Sequence, residues 1–300
     1  MTPVAAAAKA VTDPEIAVLA AELLACGSLE MGAHRPQDAQ RIARSLPAGT
    51  PVYVNHLPRH QLSDALASLV AVRDAGLEPV PHVAARRIGD RTELESFLRR
   101  AVREAGVRKL LLIGGDELAP RGPFDDAAAP MRGGLLADCG IREIGFAGYP
   151  EGHPRIPSAV LERAFAEKLE LAAAQQLGAF VVTQFSFAPA RVIEYCSGLA
   201  RRVPQVPVYV GFAGPTSAAT LLRFAQRCGV SASLRALRDQ GFDAVRLVTQ
   251  TDPGAQLASI ARYCMAHASC NVVGAHVFSF GSAAATAEWM NRYIAAHSGR

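Results

Sequence analysis

Two hydrophobic periods alternate along the chain. Short apolar runs rich in β-branched residues recur eight times, at 27–31, 51–55, 79–85, 109–115, 143–149, 180–185, 207–211 and 271–280. Each has the length and uniform apolarity of a strand buried on both faces. Stretches between them, at 61–75, 92–105, 158–177, 188–202 and 217–228, place apolar residues three and four apart, the spacing of one helix face. Strand followed by helix, repeated around eight apolar strands, predicts an α/β fold of the (β/α)8 TIM-barrel type in a single domain. The other arrangement with this alternation, an open doubly wound sheet, usually carries a glycine fingerprint in its first βα turn. Gly32-Ala33-His34-Arg35-Pro36 is not such a fingerprint.

Two segments fall outside the repeat. Thr12 and Glu15 form a capping-box pattern, so an amphipathic helix is expected within residues 1–25, packed on a barrel made of 26–300. The stretch from 211 to 271 is too long for one crossover. A helical insertion is therefore expected at about 231–268, as a helix pair at 231–240 and 252–268.

Composition removes several chemistries. Half of the 300 residues are hydrophobic, which rules out a disordered chain. The 31 basic and 27 acidic residues leave a net charge of +4 with no block of like charge, so no nucleic-acid surface is expected. Lysine occurs only at Lys9, Lys109 and Lys168. A Schiff-base mechanism needs a lysine at the carboxyl end of a strand, whereas Lys109 opens the fourth strand and Lys168 lies in a helix. The six cysteines are dispersed without a CxxC, as suits the reduced thiols of a cytoplasmic enzyme. No GxSxG elbow is present, and strand-end histidines arrive singly, so no metal site is expected. No window reaches the roughly 18 uncharged apolar residues of a membrane span, and the first residues lack a signal-peptide pattern.

Ligands of this barrel sit at the carboxyl ends of the strands. The polar residues there are Glu30, then Asn55 and His56, His82, Gly114-Gly115-Asp116, Tyr149 through His153, Thr183-Gln184, and His276. A carboxylate inside an apolar strand is costly to bury unpaired, which makes Glu30 the first candidate for chemistry. Asp116 follows two glycines at the mouth, where it either caps a helix or binds a ligand.

Pro81-His82-Val83, Gly106 to Asp116, Gly148-Tyr149-Pro150-Glu151-Gly152-His153-Pro154 and Thr183-Gln184-Phe185-Ser186-Phe187 resemble the methylenetetrahydrofolate reductase family, in order and by strand. Ser28-Leu29-Glu30-Met31 falls where that family keeps its first-strand glutamate. The resemblance runs from about residue 26 to 280. It implies an oxidoreductase that interconverts 5,10-methylenetetrahydrofolate and 5-methyltetrahydrofolate by hydride transfer from NADH or NADPH through FAD, within one-carbon metabolism and methionine biosynthesis.

By that resemblance Glu30 is a general acid with a pKa raised by burial, and Asp116 acts beside it. Asp116, Gln184, Phe212 and His276 would meet the folate, while Asn55, His82, Gly115, Asp116, Tyr149 and His153 would meet the flavin. The alternatives are a flavin-independent NAD(P)H reductase and a non-catalytic folate-binding protein. The apolar helix faces point to a homo-oligomer.

The chain departs from the family pattern where FAD phosphates would bind. The stretch Leu171 to Ala179, usually bearing two or three basic residues, has none, and Gly114 replaces a usual basic residue. Each missing charge-assisted bond is worth about 1.5–3 kcal/mol. Arg86, Arg87 and Arg191 are the candidate replacements.

Overall fold

The computed structural model describes residues 14–56, 58, 61–227, 230 and 253–298. Eight parallel strands close into a barrel in chain order: β1 Ser28–Gly32, β2 Pro51–Asn55, β3 Glu78–Ala84, β4 Lys109–Ile113, β5 Glu143–Gly148, β6 Gly178–Thr183, β7 Val208–Ala213 and β8 Val272–Phe278. β8 returns to β1, with Ser28 opposite His276 and Leu29 opposite Val277. The fold is the expected (β/α)8 TIM barrel.

Strand alternation sorts the side chains into two populations. Leu29, Met31, Val52, Val54, Leu110, Leu112, Ile144, Phe146, Val208, Val210 and Phe212 join the large core between barrel and helices. Tyr53, Val80, Leu111, Phe180 and Val182 form a separate cluster, filling the lumen as packed layers rather than leaving a pore. Gly145 makes room for the Phe180 ring, with which an added Cβ would collide. At the amino rim, Lys109 Nζ bridges Glu78 at 3.5 Å and Glu143 at 3.6 Å. Lys109 thus closes the barrel floor, away from the strand ends where ligands bind.

The helices form the outer ring. They are α1 Pro14–Ala25, α2 Gln37–Ala43, α3 Leu66–Asp74, α4 Arg91–Ala105, α5 Leu135–Asp138, α6 Ser158–Ala174, α7 Pro189–Arg202, α8 Ala218–Arg227, α9 Pro253–Ala266 and α10 Ala283–His297. α4 shows how local signals set an element. Asp90 caps its first turn by accepting from the Glu93 N–H at 2.8 Å, and Gly106 ends it in the left-handed conformation with φ +67°. α1 buries Ile16, Ala20, Ala21, Leu23 and Leu24 and packs on α9 and α10.

Differences from the sequence reading are local. The stretch expected as one helix at 61–75 begins as a 3-10 turn, Leu62–Ala65, held by reciprocal bonds between Gln61 and Asp64. α2, α5 and α10 were not expected; the first two are too short to show a clear period. The expected helix at 252–268 appears as α9, whereas its partner at 231–240 lies outside the described residues. Among the described residues, no helix is long and apolar enough to cross a membrane.

Candidate functional site

Glu30 is the centre of the carboxyl half of the lumen. Ser28 and Glu30 alternate with Leu29 and Met31, so the polar pair faces inward while the apolar pair joins the outer core. The Glu30 residue is 9% exposed. Its Oε2 accepts from Asn55 Nδ2 of β2 at 3.2 Å. Its Oε1 lies 3.7 Å from His82 Nε2 of β3 and 3.6 Å from His276 Nε2 of β8. Three neighbouring strands therefore present donors to one carboxylate.

Electrostatics follow from this enclosure. Burial pushes the Glu30 carboxyl up, but the opposing pull of His276, His82 and Asn55 outweighs it and leaves the pKa below the ordinary carboxylate value. This corrects the expectation of an acid raised by burial: donors from β2, β3 and β8 favour the charged form. Burial lowers the His82 pKa to about 4 despite the attraction of Glu30. At neutral pH the free protein holds a glutamate anion beside a neutral His82.

Three polar atoms at this point have no hydrogen-bond partner among the described residues: Asn55 Oδ1, His82 Nε2 and His276 Nε2. Orphaned buried groups are costly and mark places where a ligand or ordered water completes the structure. Tyr53 walls the cluster, with its ring 5.7 Å from His82 and 4.6 Å from His276. Phe278 stands 4.9 Å from His276, edge to face. Sequence reasoning gave no role to Ser28, Tyr53 or Phe278. Their signal was alternation, since Ser28 and Phe278 stand two residues from Glu30 and His276 on the same strand faces.

His276 was expected to touch the folate. It is fully buried, level with Ser28, whose Oγ lies 2.8 Å from its Nδ1. With Nδ1 beside Ser28 and its orphaned Nε2 turned to Glu30 at 3.6 Å, it stands deeper in the lumen than Glu30, away from the open rim. The expectation for Phe212 is also overturned. It is 3% exposed and belongs to the outer core with Val208 and Val210, because Gly211 and Ala213 hold the inward positions of β7. Phe185, Phe187 and Phe280, near the carboxyl ends of β6 and β8, are likewise buried in a second apolar cluster, with Phe278 and Phe224 packed against them. Phe185 and Phe280 lie 5.0 Å apart.

The remaining candidates surround the mouth without joining the buried cluster. Gly115 has φ +98°, and an added Cβ would lie 2.7 Å from Glu117 Oε2, so glycine is required at this turn. The turn carries Asp116 outward, its side chain 77% exposed and 3.3 Å from Arg155. Tyr149 and His153 pack edge to face at 5.1 Å, and burial raises the Tyr149 pKa to about 12. Gln184 folds its Oε1 back onto the Phe185 N–H at 3.1 Å. Asp116 and Gln184 must both rotate to meet a ring above Glu30.

The cations near the mouth test the fit of FAD. Leu171 to Ala179 closes α6 and opens β6, which places it at the amino rim, so the expectation that this stretch faces the FAD phosphates is overturned and its lack of basic residues does not bear on the diphosphate. Arg86 donates to the carbonyls of Asp125 and Leu118 at 2.8 and 2.7 Å. Arg87 pairs with Glu117 at 2.5 Å and also donates to the His56 carbonyl. Arg191 is an exposed partner of Glu194 at 3.2 Å. Orphaned Asn55 and His82 atoms suit a flat heterocycle, but no buried cationic cradle for its diphosphate stands among the described residues. A tightly held FAD does not fit this arrangement.

A closed parallel barrel with a buried carboxylate under its carboxyl rim has its candidate site at the strand ends, where barrels of this fold carry theirs. The model of the methylenetetrahydrofolate reductase family matches residues 38–240. The chain belongs to that family, with Glu30 and His276 lying outside the matched stretch. Among solved structures it is similar to an uncharacterized protein from Clostridium thermocellum that binds two copies of 5-methyl-5,6,7,8-tetrahydrofolic acid. That likeness has 14% identity, covers 89% of this chain and 94% of the other, and has a TM-score of 0.57. Dihydropteroate synthase from Thermus thermophilus aligns at 14% identity over 90% and 93% of the two chains, with a TM-score of 0.47. At 14% identity the likeness to the Clostridium thermocellum protein speaks for the fold alone.

Proposed function

We propose that the chain interconverts 5,10-methylenetetrahydrofolate and 5-methyltetrahydrofolate by hydride transfer, with NAD(P)H as the hydride source in the reductive direction. The observation that carries this reading is the Glu30 carboxylate, buried among Asn55, His82 and His276 under an open rim, in a chain of this family. The protein would work in the cytoplasm.

The chemistry suits that carboxylate. In reduction, protonation of folate N10 breaks its bond to the methylene carbon and leaves a cationic iminium at N5. Hydride from the nicotinamide then adds to that carbon and completes the methyl group. A buried anion stabilises the cation more strongly than it would in water, and as its conjugate acid it delivers the proton to N10. In oxidation the same carboxylate takes the N10 proton, a task for which a lowered pKa prepares it. Asp116, released from Arg155, would accept from the pterin amino group and ring N–H, and Gln184 would read the adjoining edge. His82 and Asn55 would face the ring plane.

Direct transfer from nicotinamide to folate is favoured over a flavin relay by one observation. Arg86 and Arg87, the candidate diphosphate partners beside the carboxyl rim, are committed to protein groups. Anaerobic assay of purified protein with NADH, NADPH and methylenetetrahydrofolate tests the reading. Consumption of reduced nicotinamide matched by methyl product, unaffected by added FAD, supports it. Absence of product in both directions with every donor removes it, and strict dependence on FAD removes the direct route.

A further inference from the structure

Ser28 has no role in the reaction as described above, yet it is 1% exposed and directs its hydroxyl at His276 Nδ1, 2.8 Å away. Parallel pairing sets this contact, because Ser28 and His276 are register partners across the seam that closes the barrel. Two residues further along the same strand face is Glu30, which His276 approaches with its other nitrogen at 3.6 Å. The imidazole bridges two inward positions of one strand.

For a singly protonated imidazole, proton accounting distinguishes two arrangements of this bridge. With the Ser28 O–H donating to Nδ1, a singly protonated His276 carries its proton on Nε2, aimed at the Glu30 carboxylate. With Nδ1–H donating to Ser28, the Nε2 lone pair would face an anionic oxygen across 3.6 Å with no proton between them. The second arrangement leaves two acceptors opposed in a buried site, which costs free energy. The first pairs Nδ1 with the serine hydroxyl and aims a proton at the carboxylate.

We propose that Ser28 is a positioning residue: its hydroxyl holds His276 in the Nε2–H tautomer, and the imidazole in turn fixes the orientation and charge state of Glu30. The proposal rests on the reading of Glu30 as the reacting group. Other groups facing the pair are Asn55 and Tyr53 from β2 and His82 from β3, and His82 is itself influenced by His56 and Arg87. The partner of His276 Nδ1 among the described residues is Ser28, so the serine hydroxyl sets the tautomer.

Two measurements test it. Long-range proton–nitrogen NMR correlation on the ligand-free protein reports the His276 tautomer. In the singly protonated ring the parent should show Nε2–H alone, Ser28→Ala a mixture, and Ser28→Thr, which keeps the hydroxyl, the parent pattern. The pH profile of folate turnover should show the acid limb moved to higher pH in Ser28→Ala. Its kcat should fall about tenfold, the worth of one hydrogen bond, with KM little changed, and Ser28→Thr should return the limb towards the parent. A parent with Nδ1–H, or an active Ser28→Ala enzyme with an unmoved profile, overturns the proposal. A parent inactive on folate overturns the function instead, and the tautomer measurement still decides the Ser28–His276 contact.

Discussion

His82 makes the stability of this barrel depend on pH in a calculable way. Burial drops its pKa from 6.5 to about 4, and the residue is 8% exposed. A base whose folded pKa is depressed binds its proton later than the unfolded chain does. Below about pH 6.5 the unfolded state takes up a proton that the folded state refuses, so stability falls as the pH drops towards 4. A tenfold change in proton affinity is worth about 1.4 kcal/mol, so the full difference is about 3 kcal/mol, of which about 2 kcal/mol is lost between pH 7 and pH 5. Glu30, with its lowered pKa, stays ionised through that window and adds little slope.

The perturbation is His82→Gln, which keeps a donor near Glu30 Oε1 and cannot titrate. Urea unfolding of parent and variant at pH 7 and pH 5 gives four free energies, and other titrations cancel in the double difference. The parent should lose about 2 kcal/mol more than the variant on acidification. Equal losses in both proteins would refute the claim that His82 is held neutral in the site.

Further outcomes follow from the same geometry. Phe212→Ala should lower unfolding free energy by about 3–5 kcal/mol, as large core truncations do, while folate affinity measured by calorimetry in the surviving folded protein stays at the parent value. Arg155→Ala removes an exposed partner of Asp116 and should change stability by less than about 1 kcal/mol in a thermal melt. Asp116→Ala should leave the melt equally unmoved but weaken folate binding roughly tenfold or more through lost charge-assisted bonds.

Much of this architecture is legible in the chain, for physical reasons. Strands buried on both faces need continuous apolar runs, and all eight runs became barrel strands within a few residues of their expected ends. A glutamate inside such a run has few fates, so Glu30 could be singled out before its neighbours were known. Its charge state could not be read, because burial and donors push in opposite directions and the donors come from β2, β3 and β8. Phe212 misled because an aromatic residue near a strand end says nothing about which face it occupies; the inward glycine beside it was the better guide. Asp116 was correctly placed at the mouth, but its pairing with Arg155 depends on two loops separated by 39 positions. α2 and α5 were missed because four to seven residues are too few to display a helical period.

The proposed reaction requires Glu30 to be the group that exchanges a proton with folate. Glu30→Gln preserves shape and one hydrogen bond while removing the charge and the transferable proton. Turnover of methylenetetrahydrofolate and equilibrium folate binding, measured on the same variant preparation, decide the matter. The expected result is a fall in kcat of about 10² or more, the scale of general acid–base catalysis, with the dissociation constant within a few-fold of the parent. A variant that turns over folate at the parental rate would contradict it.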